Sequence, residues 1–254
     1  MFTFAKVNIG FFNNEILNRI GFTPINNFLI PQSLNLNTRL AQILSAVLHP
    51  LLMPTIIFAI LFYIAPESIQ NLEMFNGSAR VGMLSLKMGL LILIFLQTFV
   101  LPVFTIYALH RFGFVGDLRM ETLKDRRLPY LITVIIYTFI ATFYTLKLKQ
   151  LPEVSLIITG IAFSIVAVAV ISLYWKISAH AVGISGMLGA LIGIAIKYGN
   201  AELFFPILIV VLVMGLLISA RLHLNAHTPL QVVAGSILGF VVSLVVVLFY
   251  GNFI

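Results

Sequence analysis

Apolar positions along this chain come in runs, and the runs are of membrane length. Seven can be read, at roughly 42–64, 86–109, 130–147, 154–175, 181–198, 203–220 and 229–250. One helical crossing of the hydrocarbon core takes about 20 apolar residues, and each run approaches that. The third and fifth are short, and the fifth is rich in glycine, so the count is six or seven. Strict two-residue alternation is missing, which excludes a β-barrel. The pattern predicts an all-α fold, a polytopic transmembrane bundle with six or seven membrane-spanning helices. The opening stretch, MFTFAKVNIGFFNNEILNRIGF, breaks the pattern. It has no charged leader ahead of a clean apolar segment, so no cleaved signal peptide is expected. Residues 1–40 read as an amphipathic or irregular lead at the membrane surface, followed by a single domain over 41–254.

Composition agrees. Of 254 residues, 61% are hydrophobic and 9% charged, and the mean hydropathy is +1.10. A soluble domain of this length needs more polar surface than that. There is no cysteine, so disulfides and thiolate metal sites do not arise, and nothing is said of redox compartment. The net charge of +7 is spread over short loops rather than one broad patch, which argues against nucleic acid as a partner.

With seven crossings, the amino-terminal lead and the connections at 110–129, 176–180 and 221–228 fall on one face. That face holds ten of the fifteen lysines and arginines: Lys6, Arg19, Arg39, Arg111, Arg119, Lys124, Arg126, Arg127, Lys176 and Arg221. A bias of this sign points to the cytoplasm. If Arg119, Arg126, Arg127, Lys176 and Arg221 are held for function, five remain on each face and the bias vanishes.

Four polar clusters meet on that face: RMETLKDRRLPY (119–130), KISAH (176–180), ARLHLNAH (220–227) and Gln231. Singly, each has a structural reading. Lys176 beside Trp175 suits an interfacial anchor. Arg221 at a helix carboxyl end suits the dipole and snorkels. His180 suits a hydrogen-bonded helix end. Together they place several cations and two histidines at headgroup depth. Guanidinium groups match phosphate oxygens in bidentate geometry and stay charged. Histidine serves as nucleophile, base or acid near neutrality. Such a set suits phosphoester or pyrophosphate chemistry on an amphiphile.

On these residues the chain resembles the type 2 phosphatidic acid phosphatase superfamily of membrane lipid phosphatases, over roughly 119–240. That family carries K-x6-R-P, P-S-G-H and S-R-x5-H-x3-D. The third motif is matched by Ala220, Arg221, His227 and Gln231, and the second by Ile177, Ser178, Ala179 and His180. The first is looser: Arg119 and Arg126 with six residues between them, or Lys124 leading into Arg127, Leu128 and Pro129. The resemblance implies that His227 attacks phosphorus and becomes a phosphohistidine. It implies that His180 protonates the leaving oxygen and later activates water. Arg221, Arg126 or Arg127, with Lys176, Ser178, Arg119 and Lys124, would hold the phosphate. It implies no metal and no cofactor, and a lipid phosphate or isoprenoid pyrophosphate as substrate. It further implies a bacterial-type inner-membrane protein acting outside the cytoplasm, against the raw charge count.

The departures bear on activity. The family's aspartate is Gln231 here, which at i,i+4 still reaches the ring of His227 but cannot offset imidazolium charge. In serine-protease triads the corresponding Asp-to-Asn change costs about 10⁴ in kcat. Asp117, Glu121 and Asp125 are the acids on the same face, and Asp125 is the favoured substitute. The second motif has lost its proline and glycine. A relative that binds phospholipid headgroups without turnover is the competing reading.

His223 and His227 stand four apart, but HLNAH lacks the glutamate of H-E-x-x-H, so no metal site is expected. His223 reads as a pocket-edge residue, and His49 and His110 as structural. Pro50 and Pro54 should disturb the first helix. Gly183, Gly186, Gly189 and Gly193, with Gly235 and Gly239, permit close helix approach. Both glycine-bearing helices directly follow a motif histidine, so their packing is expected to bring His180 and His227 within reach of one phosphate.

Overall fold

A computed structural model describes residues 36–72, 80–81, 84–116, 118 and 122–249. The lead expected over 1–40 falls mostly outside them. A compact unit starts at Thr38 and runs to the end of the chain. In chain order its helices are α1 (Leu36–Val47), α2 (Met53–Tyr63), α3 (Leu86–Phe95), α4 (Leu101–Arg111), α5 (Leu123–Lys147), α6 (Pro152–Ile171), α7 (Ala179–Tyr198), α8 (Phe204–His223) and α9 (Pro229–Phe249). A two-residue antiparallel pairing joins β1 (Arg80–Val81) to β2 (Leu84–Ser85). The fold is all-α.

Six helical stretches are long and apolar enough to cross a membrane: Lys87–Arg111, Leu123–Lys147, Pro152–Ile171, Ala179–Tyr198, Ala201–His223 and Pro229–Phe249. A seventh is a broken pair, Asn37–Val47 with Pro50–Tyr63, bent by 41°. The protein is an integral membrane protein. Large apolar side chains such as Phe139, Phe205 and Ile237 cover its outer faces, where a bilayer supplies the apolar solvent. Phe58, Leu61, Tyr137, Tyr144, Ile158 and Leu191 are fully buried inside.

Both irregular spans have proline as their cause. The residue before a proline is pushed out of the helical region, and His49 is extended at φ −63°, ψ 136° ahead of Pro50. Between α3 and α4 the chain widens into a π turn at Leu96–Val100, just before Pro102. Proline has no N–H for the carbonyl four residues back, which here is Thr98. The Tyr137 hydroxyl donates to that carbonyl instead, at 2.8 Å, and so ties α5 to the widened turn.

Helix α5 begins at Leu123, seven residues earlier than its apolar run. The polar stretch expected as a loop up to 129 is therefore its first two turns. Thr122 caps it, its Oγ1 accepting from Asp125 N at 3.2 Å, and a carboxylate in the first turn suits the dipole. Likewise α8 continues to His223, so Arg221 is helical, while α6 stops at Ile171 and leaves Trp175 and Lys176 in a connection.

Helices α7 and α9 pack with their backbones nearly touching. A Cβ on Gly239 would collide with the Val182 carbonyl oxygen, and one on Gly189 with that of Phe240. Gly239→Ala is expected to force the pair apart, costing about 1–3 kcal/mol as overpacked cores do. The melting temperature in detergent checks this; Gly215→Ala, whose Cβ would meet nothing within 4 Å, should leave it nearly unchanged.

Candidate functional site

The spacing Arg221-x5-His227 is the geometry of a helix stop. Helix α8 ends with Leu224 as its cap, and Asn225 follows in the left-handed region at φ 50°. Ala226 N donates to Arg221 O at 3.2 Å, and Asn225 N to Leu222 O at 3.0 Å. This is a Schellman turn, in which asparagine substitutes for the usual glycine. It reverses the chain so that Arg221, in the last turn of α8, and His227, just before α9, serve the same cavity.

The next residues, TPLQ, form a capping box with proline at the first helical position. Gln231 N donates to Thr228 Oγ1 at 3.4 Å, and Thr228 N donates back to Gln231 Oε1 at 3.2 Å. That return bond identifies the amide atom as oxygen. The same Oε1 lies 3.2 Å from His227 Nδ1, so Nδ1 must carry the proton. In the neutral ring Nε2 then keeps its lone pair. The bond expected at i,i+4 is present, and a backbone amide sets its polarity.

Ser178 caps α7, its Oγ accepting from Ala181 N at 3.4 Å with φ −86°, ψ 103°. No left-handed residue is needed there, so Ala179 fits where the family has glycine. His180 follows in the first turn and donates Nε2–H to the Ser45 carbonyl of α1 at 3.0 Å. Its Nδ1 is thus the nitrogen left for proton exchange. His49 sits edge-on to His180, with ring centroids 5.9 Å apart. It accepts from Leu51 N through Nδ1 at 3.3 Å, which leaves the proton of its neutral ring on Nε2.

The three histidine rings line one cavity of about 430 Å³. Its polar end carries Arg126, Arg221, His49, His180 and His227. Arg126 is 7% exposed and reaches Ile177 O at 3.4 Å. Arg221 Nε is buried with no hydrogen-bond partner, a costly state that an incoming anion would relieve. Among the described residues, no Asp or Glu lines the cavity.

Other expected phosphate ligands lie elsewhere. Arg127 is exposed and donates to Leu173 O at 3.4 Å. Lys124 is exposed, and Ser178 is buried at its cap; neither lines the cavity. Lys176 is half-buried, outside the lining, yet near enough to His227 to act on its charge. Arg119 lies outside the described residues, as do Asp117 and Glu121. Asp125 does not stand in for the missing aspartate: its Oδ2 accepts from the Thr122 hydroxyl at 2.5 Å, and it is no part of the cavity wall. The α5 cap holds it away. His223 meets Thr38 Oγ1 at 3.2 Å, at the rim. Among the described residues, no three His, Asp or Glu side chains are grouped to hold a metal ion.

His49, expected to be structural, lies beside His180 through a contact between residues 131 apart. Only its position before Pro50 hinted at an exposed ring at a helix break. The capping role of Gln231 was legible as T-x-x-Q.

The chain matches no family model, no curated protein and no solved structure.

Burial lowers the pKa of His227 to about 4; the Gln231 bond opposes that shift, and the charges of Arg221, Arg126 and Lys176 add to it. Because the folded value lies below the ordinary 6.5, protonation favours the unfolded chain. The stability this neutral ring contributes is complete above about pH 6.5 and is lost as pH falls toward 4. Histidine-ring ¹⁵N NMR should therefore show one ring still neutral at pH 5.5, titrating near 4, and missing from His227→Ala. A ring that titrates near 6.5 and vanishes in that variant would refute this.

Proposed function

We propose that the chain is a membrane phosphatase hydrolysing a lipid phosphate or isoprenoid pyrophosphate through a phosphohistidine on His227. The observation that carries this is the fixed polarity of the Thr228–Gln231–His227 chain. It leaves the Nε2 lone pair available in a cavity with two guanidiniums, one holding a buried unpaired Nε–H. Nε2 attacks phosphorus and the bond to the leaving oxygen breaks. The Nδ1–H of His180, whose imidazolium forms against the charge of the bound phosphate, supplies that oxygen with its proton. Water then attacks the phosphohistidine while Nδ1 of His180 takes the water's proton, releasing phosphate and restoring Nε2. Arg126 and Arg221 hold the phosphoryl oxygens, stabilising charge in a water-poor site. The His180 ring is held for this by the Ser45 carbonyl, as second partners orient catalytic histidines generally. The cationic face then lies outside the cytoplasm, in a bacterial-type inner membrane.

A second reading has its own support: the group that meets His227 Nδ1 is the neutral amide of Gln231, and among the described residues no carboxylate lines the cavity. A pocket with the clamp and a neutral partner for His227 binds phosphate headgroups and turns nothing over.

One experiment separates them. Phosphate release by purified protein in detergent is measured over lipid monophosphates and isoprenoid pyrophosphates. The phosphatase reading expects release that falls by at least about 10³-fold in His227→Ala, as loss of a nucleophile does. It also expects faster turnover in Gln231→Glu, which keeps the capping box and adds the missing charge. Lipid binding without release in wild type and Gln231→Glu alike would leave the binding reading.

A further inference from the structure

Below its cationic end, the cavity continues into the bundle. Three helices measure its depth independently. Wall positions run from Arg126 to Tyr137 on α5, from Val168 to Ile157 on α6, and from His180 to Ala190 on α7. At 1.5 Å per residue these spans are each about 15–17 Å, roughly half of a hydrocarbon core about 30 Å thick. The α6 wall is a stripe of Ile157, Ile161, Ile165 and Val168, one face of a helix. Three wall hydroxyls are already engaged: Thr133 donates to Pro129 O at 2.7 Å, Ser164 to Gly160 O at 3.0 Å, and Tyr137 to Thr98 O at 2.8 Å. These three ask nothing of an occupant, and with the isoleucine stripe they give the lower cavity a largely apolar wall.

The floor is closed. Within the next two turns of the same helices stand Ile140 and Tyr144 on α5, Val154 on α6, and Leu191 and Ile194 on α7. Each is at most 2% exposed and belongs to the packed core. The volume of about 430 Å³ is in the range of a single drug-sized ligand, too small for a two-chain lipid.

Resting on the reading that the cationic end takes a phosphate, we infer that the substrate is a single-tailed amphiphilic phosphate. Its tail threads the interior of the bundle, and the floor at Ile157, Tyr137 and Ala190 sets an upper limit on tail length. Phosphate and tail occupy one continuous cavity, so the length limit counts from Arg221 and His227 rather than from the bilayer surface. A tail longer than about 15 Å must fold or leave the cavity, and a second tail has no room.

The test is binding of n-alkyl monophosphates from four to eighteen carbons, by displacement in one fixed detergent. All proteins carry His227→Ala, so hydrolysis does not enter. Affinity is expected to rise about three- to fourfold per methylene up to a break, then level or fall. Ala190→Leu raises the floor and should move the break to shorter chains; Ile157→Ala lowers it and should move the break to longer ones. Two opposed variants guard against one that folds poorly. Lysophosphatidate should bind at least tenfold tighter than phosphatidate of the same chain. Equal break points in all three proteins, or equal binding of one- and two-tailed lipids, would overturn the inference. Failure of wild type to release phosphate, with the break points still shifting, would sink the phosphatase reading alone.

Discussion

Two carbonyl oxygens, of Val182 and Phe240, occupy the space where side chains of Gly239 and Gly189 would begin. Lipid tails are as apolar as leucine, so helices in a bilayer gain little from apolar burial alone and rely on close van der Waals fit. Here that fit is between backbones, which leaves the pair α7–α9 no freedom to slide. The register it sets carries to the membrane edge: Ser178 N donates to Gln231 O at 3.4 Å, tying the cap of α7 to the first turn of α9. His180 and His227 each sit within a turn of that tie. Their shared cavity is thus a consequence of where Gly189 and Gly239 fall, 9 residues beyond His180 and 12 beyond His227.

At the edge, one oxygen does two things. Gln231 Oε1 closes the capping box of α9 and holds the His227 proton on Nδ1. Because the donor on one side is a peptide N–H, which cannot switch roles, the amide cannot flip without losing the cap. A free side-chain amide would offer its NH₂ as readily as its oxygen. The cap therefore supplies a polarity that a carboxylate in this position would supply by charge. This is why a glutamine keeps the ring's orientation while lacking the charge that steadies an imidazolium.

The spans were legible because hydrocarbon thickness imposes their length, and all seven runs correspond to described helices. Their ends were less so. Helix α5 starts inside a charged stretch, since Thr122 and Asp125 favour a helix start that hydropathy alone does not register. Arg221, His180, His227 and Arg126 come to one cavity because even numbers of crossings return them to one face. Arg127 does not, because adjacent helical residues point about 100° apart and Arg126 takes the inward direction. Asp125 failed as a substitute for the same kind of reason: its first claim is on its own helix cap. His49 was not recoverable, since its value comes from a proline break that turns the first span over the start of α7.

Among the described wall residues the charge is cationic: the Arg126 and Arg221 guanidiniums stay ionised in any accessible pH range. The buried Arg221 Nε–H has no hydrogen-bond partner, a costly state that an anionic occupant relieves. A phosphate monoester does so with close to two charges at neutral pH. A carboxylate at position 231 would instead spend part of that field on the protein itself. It would steady the imidazolium formed during attack and weaken the hold on the ground-state phosphate. Glutamine sets the opposite compromise: the full field acts on the bound anion, and burial with nearby cations holds His227 neutral to about pH 4. A neutral, correctly oriented nitrogen is what attack on phosphorus requires, and tight ground-state binding is what slows it. On the proposed reading, glutamine at this position strengthens capture and handicaps turnover, and the two readings of this site are the two ends of one electrostatic trade.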